Sequence, residues 1–186
     1  MNKLYGIDLE RSLSISWLWF ISAMKAKERI MMNVLDKGQK APGFSLPRDG
    51  GGTLSLTDFD GRPVVIFFYP KDNTTGCTKE ATEFSANLEA FTAKGVAVIG
   101  ISPDSAKSHD KFVAKHGLTV ALGADESHEV LEAYGVWKEK SMYGRTYMGV
   151  ERTTILLDRN HAIAEIWHKV KVPGHVQAVL DALDTL

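Results

Sequence analysis

The chain has a single cysteine, Cys77, among its 186 residues. That excludes an internal disulfide, a C-x-x-C redox pair and a thiolate zinc cluster, and it fits a reducing compartment best. Charge of one sign is missing too: 22 Lys and Arg stand against 23 Asp and Glu, so no strong field steers the protein towards nucleic acid or an acidic membrane surface. The six histidines (109, 116, 128, 161, 168 and 175) fall in no H-x-x-x-H or H-E-x-x-H spacing, so solvated or capping roles are expected and no metal or other cofactor. Gly50-Gly51-Gly52 lacks the strand before it and the Lys after it that a phosphate loop requires, and reads as a turn. The apolar stretch at residues 13–24 is too short to span a bilayer. Flanked by Arg11 and by Lys25, Lys27 and Arg29, it could be a poor secretory leader or a surface-lying segment, but Asp8, Glu10 and the lack of an A-x-A site count against the leader. The preferred reading takes residues 1–33 as an N-terminal extension and residues 34–186 as one domain.

What is present is a run that organises the rest, V-V-I-F-F-Y-P-K-D-N-T-T-G-C-T-K-E-A-T-E-F at residues 64–84. Its first six residues are apolar without alternation, as in a strand buried on both faces. Pro70 stops the strand, residues 71–76 are rich in turn formers, and from Cys77 onward Ala81, Phe84, Leu88 and Phe91 recur on one helical face that also holds the thiol. Upstream, residues 38–56 read as a hairpin ahead of the core. Downstream come a buried strand at 95–102, a helix at 105–116 ended by Gly117, a short strand at 119–123, and a helix at 127–134 that starts from a Ser cap. Residues 136–149 show no sustained period and read as a loop. Two strands then flank Arg159-Asn160, and Pro173-Gly174 breaks the chain before a last helix with Val176, Val179, Leu180 and Leu183 on one side. Strands alternating with helices predict an α/β sheet covered on both faces.

The thiol thus sits in a helix's first turn, beside unsatisfied N–H groups and the positive end of the macrodipole, where thiolates are favoured. A free cysteine, with a pKa near ~8.5, is about 3% thiolate at pH 7, and lowering that pKa to roughly 6 gains only about 30-fold, or ~2 kcal/mol. A fast thiol enzyme therefore also needs donors aimed at the atoms where charge develops during attack.

Pro70-x-x-x-Thr74-x-x-Cys77, with Gly76 before the Cys and Thr78-x-Glu80 after it, resembles the active-site signature of peroxiredoxins. The fuller string Y-P-K-D-N-T-T-G-C-T-K-E-A, together with K-S-M-Y-G-R-T-Y-M-G and E-R-T-T-I-L-L-D, is similar to the bacterioferritin-comigratory-protein or PrxQ branch over roughly residues 34–186. The resemblance implies a thioredoxin-like α/β fold, with a central mixed sheet flanked by helices and an N-terminal β-hairpin, and a thiol peroxidase with Cys77 as its peroxidatic residue. It further implies that Thr74 hydrogen-bonds the incoming peroxide and the thiolate, that Arg152 holds the thiolate and polarises the O–O bond, and that Pro70 shields the pocket from water. Glu80 is expected to bond Arg152 from one turn inside the helix. A hydroxyl that both donates and accepts and a guanidinium that never loses its charge suit these roles.

The chain departs from the branch at two positions. Position 75 is Thr where Pro is common, and Thr82 stands where many members carry the resolving cysteine. Five helical steps turn the chain by about 500°, so a thiol at position 82 would lie on another face and need local unwinding to reach Cys77. The sulfenic acid on Cys77 must therefore be resolved by an external thiol such as thioredoxin, glutaredoxin or glutathione, or by a second copy. The expected substrates are hydrogen peroxide and organic hydroperoxides; the setting is the cytoplasm, with no nucleic acid or membrane partner, and the chain a monomer or weak homodimer. Trp137, Met142, Tyr143, Tyr147 and Met148 could line an apolar approach to Cys77 or equally pack a loop. Rival functions are a redox sensor whose output is the sulfenic acid itself and a monothiol exchange protein using glutathione.

Overall fold

The computed structural model describes residues 35–142 and 144–186, so the expectations for residues 1–33 and for Tyr143 lie outside the described residues. The run at residues 64–68 forms β3 (Val64–Phe68), buried along its whole length. Its lack of alternation has a simple cause: Val64, Ile66 and Phe68 enter one core cluster, whereas Val65, Phe67 and then Tyr69 enter the other, on the opposite face of the sheet. Full burial of each such side chain contributes about 1.5–3 kcal/mol, which makes β3 the natural centre. On one side it pairs in parallel with β4 (Ala97–Ser102), which pairs in parallel with β5 (Ala121–Ala124). On the other side it pairs antiparallel with β8 (Thr153–Leu157), followed by β9 (Ile163–Trp167). The central sheet is therefore mixed and five-stranded, in the order β5-β4-β3-β8-β9. The expected N-terminal hairpin is β1 (Ser45–Pro47) paired with β2 (Thr53–Ser55).

Helix α1 (Thr75–Ala86) follows β3, and α2 (Leu88–Ala93) follows it after a break at Asn87, whose side chain donates to the Glu83 carbonyl at 2.8 Å. The single helix read from Cys77 through Phe91 is thus two, although Ala81, Phe84 and Phe91 all remain buried. Helix α3 (Ala106–His116) has the Ser105 cap and the left-handed Gly117 terminus that its sequence predicts. Helix α5 (His175–Ala182) buries Val176 and Val179, and Leu183 is buried just beyond it.

Three readings need correction. The strand expected at 119–123 begins at Ala121, because Thr119 instead hydrogen-bonds Ser85 through its N–H at 3.1 Å. Helix α4 (Glu129–Ala133) starts from His128 in a left-handed conformation rather than from a Ser cap, and the buried Asp125 carboxylate accepts the Leu131 N–H at 2.8 Å. The supposed loop at 136–149 is a ribbon of β6 (Trp137–Met142) and β7 (Arg145–Val150), in antiparallel register from Trp137↔Val150 to Met142↔Arg145. Residues 145–148 of β7 are all exposed, so no buried face imposes the alternation by which a strand is recognised.

One packing detail sets the depth of α1. Phe67 of β3 stacks on Phe84 of α1 with ring centroids 4.7 Å apart, and its far edge lies over Gly100 of β4, where an added Cβ would meet Phe67 Cζ at 2.6 Å. Glycine lets the two rings settle onto the sheet.

Candidate active site

Pro70, half-buried, ends the extended segment, and the chain turns through Asn73 at φ 59°, a left-handed conformation that asparagine tolerates. Thr74 is extended and stands at the N-cap of α1, where its carbonyl accepts the Thr78 N–H at 2.8 Å. Its hydroxyl donates to the Lys71 carbonyl at 3.0 Å, so the one proton expected to reach the sulfur is spent on tightening the turn, and the oxygen's lone pairs are left to accept. Cys77 is the third helical residue, in the turn whose N–H groups lack intrahelical acceptors. The sulfur's residue is only 1% exposed, packed on the Val65–Phe67–Tyr69 face of the sheet.

The register of the sheet delivers the partner. Phe68 at the end of β3 pairs with Thr153 at the start of β8, so Arg152, one residue earlier, is carried to the same end of the sheet as the Cys77 turn. Its Nη2 donates to Cys77 Sγ at 3.2 Å, and its Nη1 donates to Glu80 Oε2. Its carbonyl is fixed by the Val170 N–H at 2.9 Å. A Cβ on Gly76 would stand 3.2 Å from Nη2, so the residue before the cysteine has no side chain because the guanidinium passes over it.

The charges around this fork are perturbed in ways that follow from burial. Glu80 is fully buried with Oε1 unpartnered, and desolvation pushes its carboxyl up to about 7 against the pull of Arg152. Burial alone would lower Arg152, but the charges of Glu80 and Cys77 outweigh it and hold the guanidinium above its ordinary value. Lys140 of β6 donates to the Val150 carbonyl; burial lowers its pKa against the pull of Glu151, and it lies within electrostatic reach of both Arg152 and Cys77. His175, at the start of α5, faces Thr154 Oγ1 at 2.7 Å and is lowered to about 4 by burial and then by Arg152, so it is neutral at physiological pH.

Of the residues singled out from sequence, the structure brings Cys77, Gly76, Glu80 and Arg152 into one cluster, with Thr74 and Pro70 in the turn leading to it. Thr82 is exposed, whereas Cys77 is buried, in keeping with their different helical faces. Trp137 stacks on His128 with centroids 3.9 Å apart, while Tyr147 and Met148 are about half exposed on β7, at 46% and 50%. The side chain of Met142 lies outside the described residues. Lys140 and His175 were given no role: Lys140 opens the K-S-M-Y-G-R-T-Y-M-G string but nothing in the sequence points it at the thiol, and His175 merely follows Pro-Gly. Among the described residues no group of His, Cys, Asp and Glu could hold a metal ion, and no helix is long and apolar enough to cross a membrane.

A sulfur in a helix's first turn with a guanidinium on it agrees with the comparison to known proteins, in which the AhpC/TSA family model matches residues 37–166. The chain belongs to the AhpC/TSA family. Within it, this peroxiredoxin is 44% identical over 149 residues to peroxiredoxin Bcp of Bacillus subtilis, covering 80% of this chain and 95% of the relative. It is 41% identical over 152 residues to peroxiredoxin Bcp of Escherichia coli, covering 82% and 97%. Among solved structures, the bacterioferritin comigratory protein of Xanthomonas campestris superposes with a TM-score of 0.75 at 41% identity, over 81% of this chain and 98% of that one. A cysteine-to-serine mutant of PrxQ from Xylella fastidiosa superposes with a TM-score of 0.78 at 38% identity, over 82% and 97%. The peroxiredoxin has the thioredoxin-like fold of these structures and is a thiol-dependent peroxidase of the Bcp/PrxQ branch, with Cys77 as the one cysteine of its sequence.

Proposed function

We propose that Cys77 is the peroxidatic residue and that Arg152, Thr74, Pro70, Gly76 and Glu80 form its machinery. The observation that carries this reading is the 3.2 Å contact between Arg152 Nη2 and the chain's only sulfur of a cysteine. In the reaction, the sulfur's electron pair attacks one peroxide oxygen, the O–O bond breaks, and the departing oxygen takes a proton to leave as water or an alcohol. The product is a sulfenic acid on Cys77. Arg152 holds the sulfur and stabilises charge as the O–O bond breaks, Thr74 accepts a hydrogen bond from the peroxide, and Pro70 keeps bulk water from the turn. Glu80 orients the guanidinium, and Gly76 leaves room for it.

The substrate class comprises hydrogen peroxide and organic hydroperoxides; the Xanthomonas bacterioferritin comigratory protein has alkyl peroxide reduction activity. With no second thiol in the chain, a reductant outside it (thioredoxin, glutaredoxin or glutathione) forms a mixed disulfide with Cys77 and regenerates it. A cytoplasmic setting and a monomer or weak homodimer complete the reading. Its test is Cys77→Ser assayed with hydrogen peroxide and a bulky hydroperoxide, followed by intact mass with and without glutathione or thioredoxin. Turnover and the sulfenic mass should both vanish, and retained peroxidase activity overturns the assignment.

A further inference from the structure

Asp72 lies midway between Pro70 and Thr74 in the turn ahead of Cys77. Turns of this kind normally run over the surface with solvated side chains, yet Asp72 is only 5% exposed. A buried carboxylate is costly unless its acceptor sites are filled, and here they are. Oδ1 accepts from the Tyr69 hydroxyl at 2.9 Å, and Oδ2 accepts from Ser108 Oγ at 2.7 Å and His109 Nδ1 at 2.9 Å. The Asp72 N–H donates to Asp104 Oδ2 at 2.9 Å, and that carboxylate also accepts from Ser102 Oγ at 2.8 Å. His109 is fully buried, and its other nitrogen, Nε2, faces the Gly123 carbonyl of β5 at 3.2 Å, so the ring is held at both ends. The next residue, Asn73, reaches His116 Nε2 at 3.2 Å at the far end of α3. Two consecutive residues of one short turn are thereby tied to α3, β5 and the chain just past β4. Burial by itself would raise the Asp72 carboxyl, but the hydrogen bond and charge of His109, with Ser108 and Tyr69, hold it below the usual range.

We propose that Asp72 and His109 are positioning residues for the peroxide reaction, clamping the turn at residues 70–74 so that Thr74 and the first turn of α1 present Cys77 to Arg152. The proposal rests on the reading of Cys77 as the reacting sulfur. None of the clamp's hydrogen bonds is to Cys77, so it acts through the backbone that leads to the helix. Displacement of a reacting group by about 1 Å can cost about 100-fold in rate, which is what a fixed turn prevents. The same fixation keeps the sulfur covered, since Cys77 at 1% exposure is reached by a bulky reagent only when its turn opens.

The test compares wild type with Asp72→Asn in the full chain, using two rates for Cys77 measured well below the melting temperature. One is oxidation by hydrogen peroxide, read by rapid quench and intact mass; the other is alkylation by N-ethylmaleimide. The expected result is a peroxide rate lower by about tenfold or more, together with faster alkylation as the loosened turn uncovers the sulfur. A pair that serves only stability lowers the melting temperature and leaves both rates within about twofold, on the scale of surface effects. Any outcome in which the two rates fail to move in opposite directions overturns the proposal. Should Asp72→Asn not fold, His109→Gln decides by the same criterion, because it breaks the Asp72–His109 pair from the other side. Equal peroxide rates in wild type and variant defeat the clamp alone, whereas a wild type inert to peroxide defeats the reading of Cys77 as well.

Discussion

Replacing Arg152 by lysine keeps the charge and removes the fork, which makes it the sharpest perturbation of the site. Nη2 serves Cys77 at 3.2 Å while Nη1 serves Glu80. A lysine offers one compact nitrogen on a flexible stem and cannot meet a sulfur and a carboxylate in the same rigid geometry. In Arg152→Lys the ammonium is expected to pair with Glu80, where the attraction is strongest, and to leave the sulfur. A hydrogen bond to a charged group contributes about 1.5–3 kcal/mol, and each ~1.36 kcal/mol is a decade in rate. If that bond persists or strengthens as the peroxide bond breaks, its loss lowers the second-order rate constant for peroxide by about 10- to 150-fold. The backbone of Arg152 remains held by Val170, so the far-ultraviolet circular dichroism should be unchanged. The assay is rapid mixing with limiting hydrogen peroxide, quenching, and intact mass for the gain of one oxygen. A rate constant within about threefold of wild type refutes the argument, because then the guanidinium's geometry contributes nothing that a bare positive charge does not.

Glu80→Gln tests the buried carboxyl. Its folded-state value of about 7 lies above the ordinary 4.5, so the folded protein holds the extra proton between those pH values, and wild-type stability should fall as pH rises through that window and stay lowered above it. The glutamine variant has no such slope, so the difference in unfolding free energy should move in its favour by about 3 kcal/mol between about pH 4.5 and 8 in urea titrations, and parallel pH dependences defeat the reasoning. Thr82→Cys places a second thiol on the exposed face of α1, where it should form a disulfide with Cys77 after peroxide treatment, seen as a loss of free thiols in the monomer. A persistent sulfenic acid with both thiols on one chain would show that α1 does not unwind far enough.

How much was legible in the sequence depended on burial. The strand at 64–68 and the Cys77 helix were plain because both faces of β3 are dry and Ala81 and Phe84 recur on one helical face. The ribbon at 137–150 was missed because its exposed residues carry no inside–outside alternation, and the break at Asn87 was missed because apolar spacing continues across it. At the proposed site, the motif that holds Pro70, Thr74, Cys77 and Glu80 and the later Arg152 pointed to residues that the structure places close together. Asp72, His109, Lys140 and His175 were not found, since each owes its environment to segments distant in sequence: Asp72 to α3, His109 to β5, Lys140 to the end of β7 and His175 to β8. The reason for Gly76 was equally hidden, because a glycine gives no hint of which remote side chain needs its space.

Gly100 shows how far such a need can reach. It lies a whole strand away from the sulfur, yet the vacancy above it is what allows Phe67 to recline and Phe84 to follow, and the height of the reactive turn is inherited from both rings. A methyl group grafted there would meet the Phe67 ring at 2.6 Å and the Leu122 side chain at 2.8 Å, so the ring on which Phe84 stacks would have to shift. Substitution at Gly100 would therefore be felt in the packing beneath the Cys77 helix, and a scan confined to the residues around the sulfur would overlook the foundation on which they stand.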